Sequence, residues 1–404
     1  MHLAVFALAA LPLLAADMPI LTPKPGPEPR INGPRVYGVR PGKPFLYRIP
    51  ATGMRPIKFE ATGLPATIKL DAATGILSGT SPAAPGIHKV TLRASNSHGK
   101  ASREFRLTVG DTIALTPPMG WNHWYTHYAR VSDKLFREAA DAMVASGMAD
   151  FGYSYVSIDD CWMMKPGSTD PTLNGEPRDA AGRIRPNLRF PDMPALTAYI
   201  HAKGLKAGIY TGPGPLTCAQ YTAAWQHEAI DAKTFADWGY DLLKYDWCSY
   251  GRLVKPVTRE DFTKPYTLMG GLLKQQNRDI QFNLCQYGMG EVWKWGAEVG
   301  GQSWRTTGDL GLEKDSRLPG FYSIAFKNMV LTDYAGPGRW NDPDYILIGT
   351  IGNARSISDA PKQTTLTAGE QYSYMSMWSL MASPLFFSGD MSRLDEFTLN
   401  VLCN

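Results

Sequence analysis

The 404-residue chain has no run of five or six Lys or Arg, and its 41 basic and 37 acidic residues leave a net charge of only +4. That balance gives neither a nucleic acid nor an anionic membrane surface anything to grip, so neither is expected as a partner. No apolar segment approaches the length of about 20 residues needed to cross a bilayer. The longest, from Leu3 to Ala15, ends in Leu14-Ala15-Ala16-Asp17. Its length and small-residue end fit a signal peptide over residues 1–16, although its start lacks Lys or Arg. A secreted or periplasmic protein is therefore expected. The five cysteines, Cys161, Cys218, Cys248, Cys285 and Cys403, include no Cys-x-x-Cys pair, which argues against a zinc ribbon. Their odd number leaves at least one unpaired. His123 and His127 stand four apart without the Glu of a His-Glu-x-x-His site and read as polar residues near a domain entrance. No metal and no cofactor is expected.

What is present falls into two grammars. Residues 17–35, rich in Pro and Gly between Thr22 and Pro34, read as a linker. From 36 to 110, short β-type runs (Ile57 to Glu60, Ile87 to Ala94, Glu104 to Val109) alternate with turn residues such as Ala73-Thr74-Gly75, Pro82 to Gly86 and Asn96 to Gly99. Several short strands at such spacing predict a small β-sandwich. The stretch from Gly63 to Thr80 resembles the immunoglobulin-like modules often appended to exported bacterial proteins, and carries no cluster of catalytic groups. It reads as a spacer or accessory module.

From 115 to 404 helical stretches (Ser132 to Ser146, Met193 to Lys203, Ala232 to Trp238) alternate with short apolar runs. The runs lie near Met119 to Trp121, then at Tyr155 to Ile158, Ala207 to Tyr210, Leu242 to Tyr245, Ile280 to Leu284, Trp304 to Thr306, Tyr345 to Ile348 and Pro384 to Phe387. Eight such units favour a closed (β/α)8 TIM barrel, and the absence of a Gly-rich phosphate loop after the first argues against a doubly wound sheet. Polar residues collect where the runs finish: Asp159-Asp160-Cys161-Trp162, Asp246-Trp247-Cys248, Cys285-Gln286-Tyr287-Gly288, Arg305 to Asp309, and Asn341-Asp342-Pro343-Asp344. In a parallel barrel those ends share one face, so carboxylates distant in sequence converge there. Carboxylates without a metal or nucleotide signature suggest glycoside chemistry. A pair roughly 5–5.5 Å apart permits double displacement with retention, and one roughly 6.5–9.5 Å apart inversion.

Residues from about Thr116 onward resemble glycoside hydrolase family 27, the α-galactosidases and α-N-acetylgalactosaminidases. The matching motifs run in order. They are Pro118-Met119-Gly120-Trp121-Asn122-His123-Trp124, Ile158 to Trp162, Gly208-Ile209-Tyr210, Thr217-Cys218-Ala219, Thr234 to Gly239, Leu242 to Cys248 and Ala335 to Asp344. The resemblance implies a retaining enzyme that removes terminal α-D-galactosyl residues from an oligosaccharide or polysaccharide. It makes Asp246 the nucleophile and Asp309 the acid/base, and gives Asp159 and Asp160 the sugar's 4- and 6-hydroxyls. Lys244 would reach the 3- and 4-hydroxyls, and Arg305 the 2-hydroxyl side. Trp124, Tyr210 and Asp344 would line the pocket, with Cys285 and Gln286 near the substituent at C2. A disulfide between Cys218 and Cys248 is likewise implied.

Two departures bear on activity. Where many α-galactosidases carry Cys-Glu-Trp, this chain has Cys285-Gln286-Tyr287, which leaves the C2 substituent open. Tyr345 follows Asp344 where Met is frequent. Asp160 is kept, and not replaced by a longer Glu, which favours a sugar with a 6-hydroxyl over L-arabinopyranose. The chain also stops at Asn404, within the expected last barrel helix, where the family continues into a C-terminal β-domain; a truncated end with uncovered apolar surface is expected. The alternatives are α-N-acetylgalactosaminidase, β-L-arabinopyranosidase or isomaltodextranase-type activity in the same fold, a Schiff-base lyase using Lys244, and a non-catalytic galactose-binding protein.

Overall fold

The structure, a computed structural model, describes residues 18–310, 320–352 and 360–404. The expected leader at 1–16 lies outside them.

The first module is a sandwich of two sheets. One orders the strands Val36–Val39, Gly99–Val109, Gly86–Asn96 and Lys58–Thr62; the other orders Pro44–Arg48, Ile76–Thr80 and Ile68–Leu70. The two-residue period of a strand sends Val90, Leu92 and Ala94 inward from one arm of the long hairpin, and Phe105, Leu107 and Val109 from the other. They meet Phe45, Tyr47 and Leu77 of the facing sheet. The hairpin turns at Asn96, whose Oδ1 accepts from the amides of His98 and Gly99. Arg30–Ile31 pairs with Ala51–Thr52, so the expected linker over 17–35 already contributes sandwich structure at its C-terminal end.

The second module is an eight-stranded, all-parallel sheet closed into a barrel. Its strands are Met119–Asn122, Tyr155–Ser157, Lys206–Thr211, Leu242–Asp246, Gln281–Cys285, Ser303–Arg305, Trp340–Asp342 and Leu385–Phe387; the first seven pair in chain order, and the eighth pairs with the first and not with the seventh. The strands are buried on both faces, hence the continuous apolar runs in the sequence. Around them lie helices such as Asp133–Ala145, which buries Phe136, Ala139, Ala140 and Met143 at the spacing of one helical face. The last is Glu396–Leu402.

One strand differs from expectation. The seventh is Trp340–Asp342, not the apolar run Tyr345 to Ile348. After Asp342 the chain turns through Asp344, whose φ is +100°, and a single residue of that run, Ile346, bridges to Phe387. Its amide donates to the Phe386 carbonyl at 2.7 Å and its carbonyl accepts from Ser388 at 2.9 Å. The run is buried, as an apolar run must be, but it closes the barrel at one point instead of forming a ladder.

The sandwich sits at the N-terminal ends of the barrel strands, the floor of the barrel. Arg40 meets Asp279 just before the fifth strand, Lys43 reaches the Gln276 carbonyl, and Arg48 and Arg55 converge on Asp150 ahead of the second. Lys206, first residue of the third strand, contacts the Tyr37 hydroxyl. The C-terminal ends of the strands are left to the site.

Candidate active site

At the opposite end from the sandwich, the strand ends enclose a cavity of about 300 Å³. Asp246, last residue of the fourth strand, and Asp309, four residues beyond the sixth, both line it, together with Trp124, Asp159, Tyr210, Lys244, Arg305 and Asp344. Two carboxylates from different strands facing one sugar-sized hollow is the arrangement expected from the motifs.

Each carboxylate sits in a distinct environment. Asp246 is buried; its Oδ2 accepts from the Tyr210 hydroxyl at 3.1 Å and its Oδ1 from the Tyr287 hydroxyl at 2.5 Å. Burial raises its carboxyl above the usual range, the Lys244 charge and the Tyr287 hydrogen bond pull it back, and the Asp309 charge adds to the rise. Asp309 has a half-exposed side chain, and Arg305 holds its Oδ1 at 3.2 Å. The same guanidinium meets Asp344 Oδ2 at 3.0 Å. Asp344 also accepts from the Tyr125 hydroxyl and the Leu310 amide. Burial lifts Asp344 to about 6, with Arg305 opposing and Asp309 reinforcing the shift.

Across the cavity, Asp159 Oδ2 gathers three donors: Asn122 Nδ2 at 2.9 Å, Lys244 Nζ at 2.8 Å and the Tyr345 hydroxyl at 2.9 Å. Burial alone would raise this carboxyl, but the Lys244 charge, with hydrogen bonds from Lys244 and the Asp160 amide, outweighs it and holds Asp159 below the usual range. Lys244 stays charged: burial acts to lower it, and the charge of Asp159 more than compensates. His123 is fully buried and accepts the Asp159 amide at Nδ1; burial drives it down to about 3, so it is neutral. It orients the strand end.

Three expected site residues lie outside the cavity lining. Both oxygens of Asp160 are taken by backbone amides, Oδ1 by Cys161 at 2.7 Å and Oδ2 by Ala219 at 2.9 Å, and burial raises the group to about 7 against those bonds. Asp160 thereby ties the Ala219 loop to the second strand. Gln286 is fully buried and donates to the Met289 carbonyl, turned away from the cavity. Cys285 is buried behind it, 3.8 Å from Arg305 Nη1. Conversely, Tyr125, Tyr128, Tyr287 and Tyr345 line the cavity but were not among the expected residues. Their abundance in a Tyr-rich chain hid them, although Tyr125, Tyr287 and Tyr345 stood beside motif residues.

Cys218 and Cys248 form the expected disulfide, and Cys161, Cys285 and Cys403 are free. Among the described residues, the one cluster with metal-ligand proximity is Cys218, Asp246 and Cys248, and its sulfurs are bound to each other and offer no thiolate. The cavity thus holds a buried carboxylate, a second carboxylate open to water, and a cation–carboxylate pair.

Comparison with known proteins agrees with this geometry. Residues 116–404 match the family model Melibiase_2, alpha galactosidase A, and residues 28–110 match an Ig domain model. An alpha-galactosidase of Oryza sativa is 36% identical over 327 residues, 80% of this chain and 70% of that protein. Alpha-galactosidase A of Cellvibrio japonicus is 38% identical over 72% of this chain and 66% of its own length. The chain therefore spans about two thirds of the length of these curated relatives. A crystal structure from Bacteroides fragilis, of a candidate alpha-galactosidase/melibiase, superposes with a TM-score of 0.84 at 39% identity, over 93% of this chain and 77% of that one. That match extends beyond the barrel into the sandwich. By motif order, barrel architecture and these matches, the chain belongs to the alpha galactosidase A family of glycoside hydrolases, glycoside hydrolase family 27.

Proposed function

We propose that the chain hydrolyses terminal α-D-galactosyl residues of an oligosaccharide or polysaccharide by double displacement with retention. The observation that carries this reading is the shared cavity of Asp246 and Asp309, one buried among phenols and the other half-exposed. A nucleophile benefits from a dry, fixed setting, and Asp246 has it. The partner must protonate the departing oxygen and then activate a water, so it needs solvent access, which Asp309 has. In the first step an Asp246 oxygen bonds to the anomeric carbon as Asp309 delivers its proton to the leaving oxygen. In the second, Asp309 takes a proton from water, whose oxygen displaces Asp246.

Asp159 and Lys244 offer an acceptor and a donor side by side, suited to adjacent hydroxyls, the axial 4-hydroxyl among them. A C4 epimer would leave these groups unpaired, about 1–3 kcal/mol for each lost bond. Trp124, against Tyr128 at a ring separation of 5.0 Å, provides an apolar wall for a sugar face. The enclosed cavity, about one sugar in size, suits an exo-acting enzyme. The leader-like residues 1–16 support export to the periplasm or beyond; among the described residues no helix is long and apolar enough to cross a membrane.

Hydrolysis of nitrophenyl α-galactoside by wild type and Asp246→Ala tests the mechanism. Activity in the first and near-complete loss in the second are expected, with azide restoring turnover and yielding β-galactosyl azide. Equal rates would remove Asp246 from the reaction. Parallel assays with α-N-acetylgalactosaminide and β-L-arabinopyranoside report the C2 and C6 preferences.

A further inference from the structure

Tyr287 has no assigned part in the reaction, yet it makes the shorter of the two hydrogen bonds to the nucleophile, 2.5 Å against 3.1 Å from Tyr210. The backbone is bent to put it there. Tyr287 has a φ of +64°, a left-handed conformation that bulky residues avoid, and Gly288 follows at +84°. A Cβ on Gly288 would stand 2.2 Å from the Thr306 carbonyl oxygen, so only glycine completes the turn. The same bend turns Gln286 away and Tyr287 inward.

Behind the two phenols lies the disulfide. Cys218 Sγ is 3.6 Å from the Tyr287 hydroxyl, and Cys248 Sγ is 3.3 Å from the Tyr210 hydroxyl. A bridged sulfur carries no proton and accepts hydrogen bonds poorly. Each phenol has one proton to give, and with disulfide on one side and carboxylate on the other it gives it to Asp246.

We propose that Tyr287, backed by the Cys218–Cys248 bridge, is a positioning residue that fixes the Asp246 carboxylate and keeps it ionised for attack. This rests on Asp246 being the nucleophile and adds how that group is made ready. The groups around Asp246 are Lys244 from its own strand, Tyr210 from the third, Tyr287 and Cys285 from the fifth, Tyr266 from the helix Arg259–Lys274, Asp309 and Arg305 from the sixth, and Asp159 from the second. Of these, Lys244 and the hydrogen bonds from Tyr287 and Tyr210 favour the ionised form, against burial and the two carboxylates.

The test is the titration of Asp246, followed by carboxyl-carbon NMR in protein labelled at Asp and assigned with Asp246→Asn, in wild type and Tyr287→Phe. Because no substrate is involved, it stands apart from whether α-galactosides are cleaved. Loss of the phenol should raise the Asp246 midpoint by about one unit, tenfold in its acid constant. The acidic limb of kcat/KM should move by the same amount, with kcat falling more than KM changes. Replacing both cysteines by alanine should move the midpoint the same way in wild type and much less in Tyr287→Phe. A Tyr287→Phe protein that is folded by circular dichroism and titrates like wild type overturns the proposal. An equal cysteine effect in both backgrounds removes the bridge from it.

Discussion

Asp159 concentrates three donors on one oxygen, with a lysine among them, in a place closed to solvent. A buried ion pair becomes a liability when one member is removed, because the other charge is stranded. Lys244→Met is therefore expected to lower unfolding free energy by about 3–5 kcal/mol, read from denaturant melts, and to depress kcat/KM. Asp160 behaves differently. Its folded value of about 7 lies above the ordinary value of 3.8, so the folded state holds its proton more tightly than the unfolded chain does. The stability associated with that proton is complete below about pH 4 and is lost as pH rises towards 7. The prediction is a difference in slope: between pH 4 and 7 wild-type Tm should fall relative to that of Asp160→Asn. Parallel Tm profiles of the two proteins would contradict it.

At the scale of elements, the turn after the fifth strand joins fold to chemistry. Gly288→Ala should destabilise the protein by about 1–3 kcal/mol and reduce turnover by displacing Tyr287, seen as a lower denaturant midpoint together with a lower kcat. The sign of a φ angle leaves no mark on hydropathy, so nothing in Cys285-Gln286-Tyr287-Gly288 told which side chain would face inward. Asp246 and Asp159 were legible because the end of a parallel strand fixes direction: a polar residue at the end of an apolar run must open on one face. Lys244, inside the fourth strand, and Asp309, four residues beyond the sixth, were singled out by the resemblance. Asp160, next in line, lies outside the cavity lining and meets the Ala219 amide of another loop, a contact that only the tertiary fold creates. The seventh strand shows the same limit. Tyr345 to Ile348 has the composition of a strand, whereas Trp340–Asp342 carries two polar residues, and the left-handed turn at Asp344 decides between them.

Across the whole molecule, both modules were readable from the change of pattern near residue 115, but their mutual arrangement was not. The sandwich reads from sequence as a spacer or accessory module, and it is seated on the barrel floor through Arg40, Lys43, Arg48, Arg55 and Lys206. Asp150→Ala, which removes the carboxylate shared by Arg48 and Arg55, should cost about 1–3 kcal/mol and expose the junction to proteolysis, measured by cleavage rate, without altering KM. The seating has a practical meaning as well. With one end of the molecule closed by the sandwich and the mouth at the other, a support coupled through a floor-side lysine such as Lys58, 69% exposed, would hold the chain like a cup by its base. Immobilised enzyme should then keep its free-solution rate on bulky substrates, the opening turned towards the liquid.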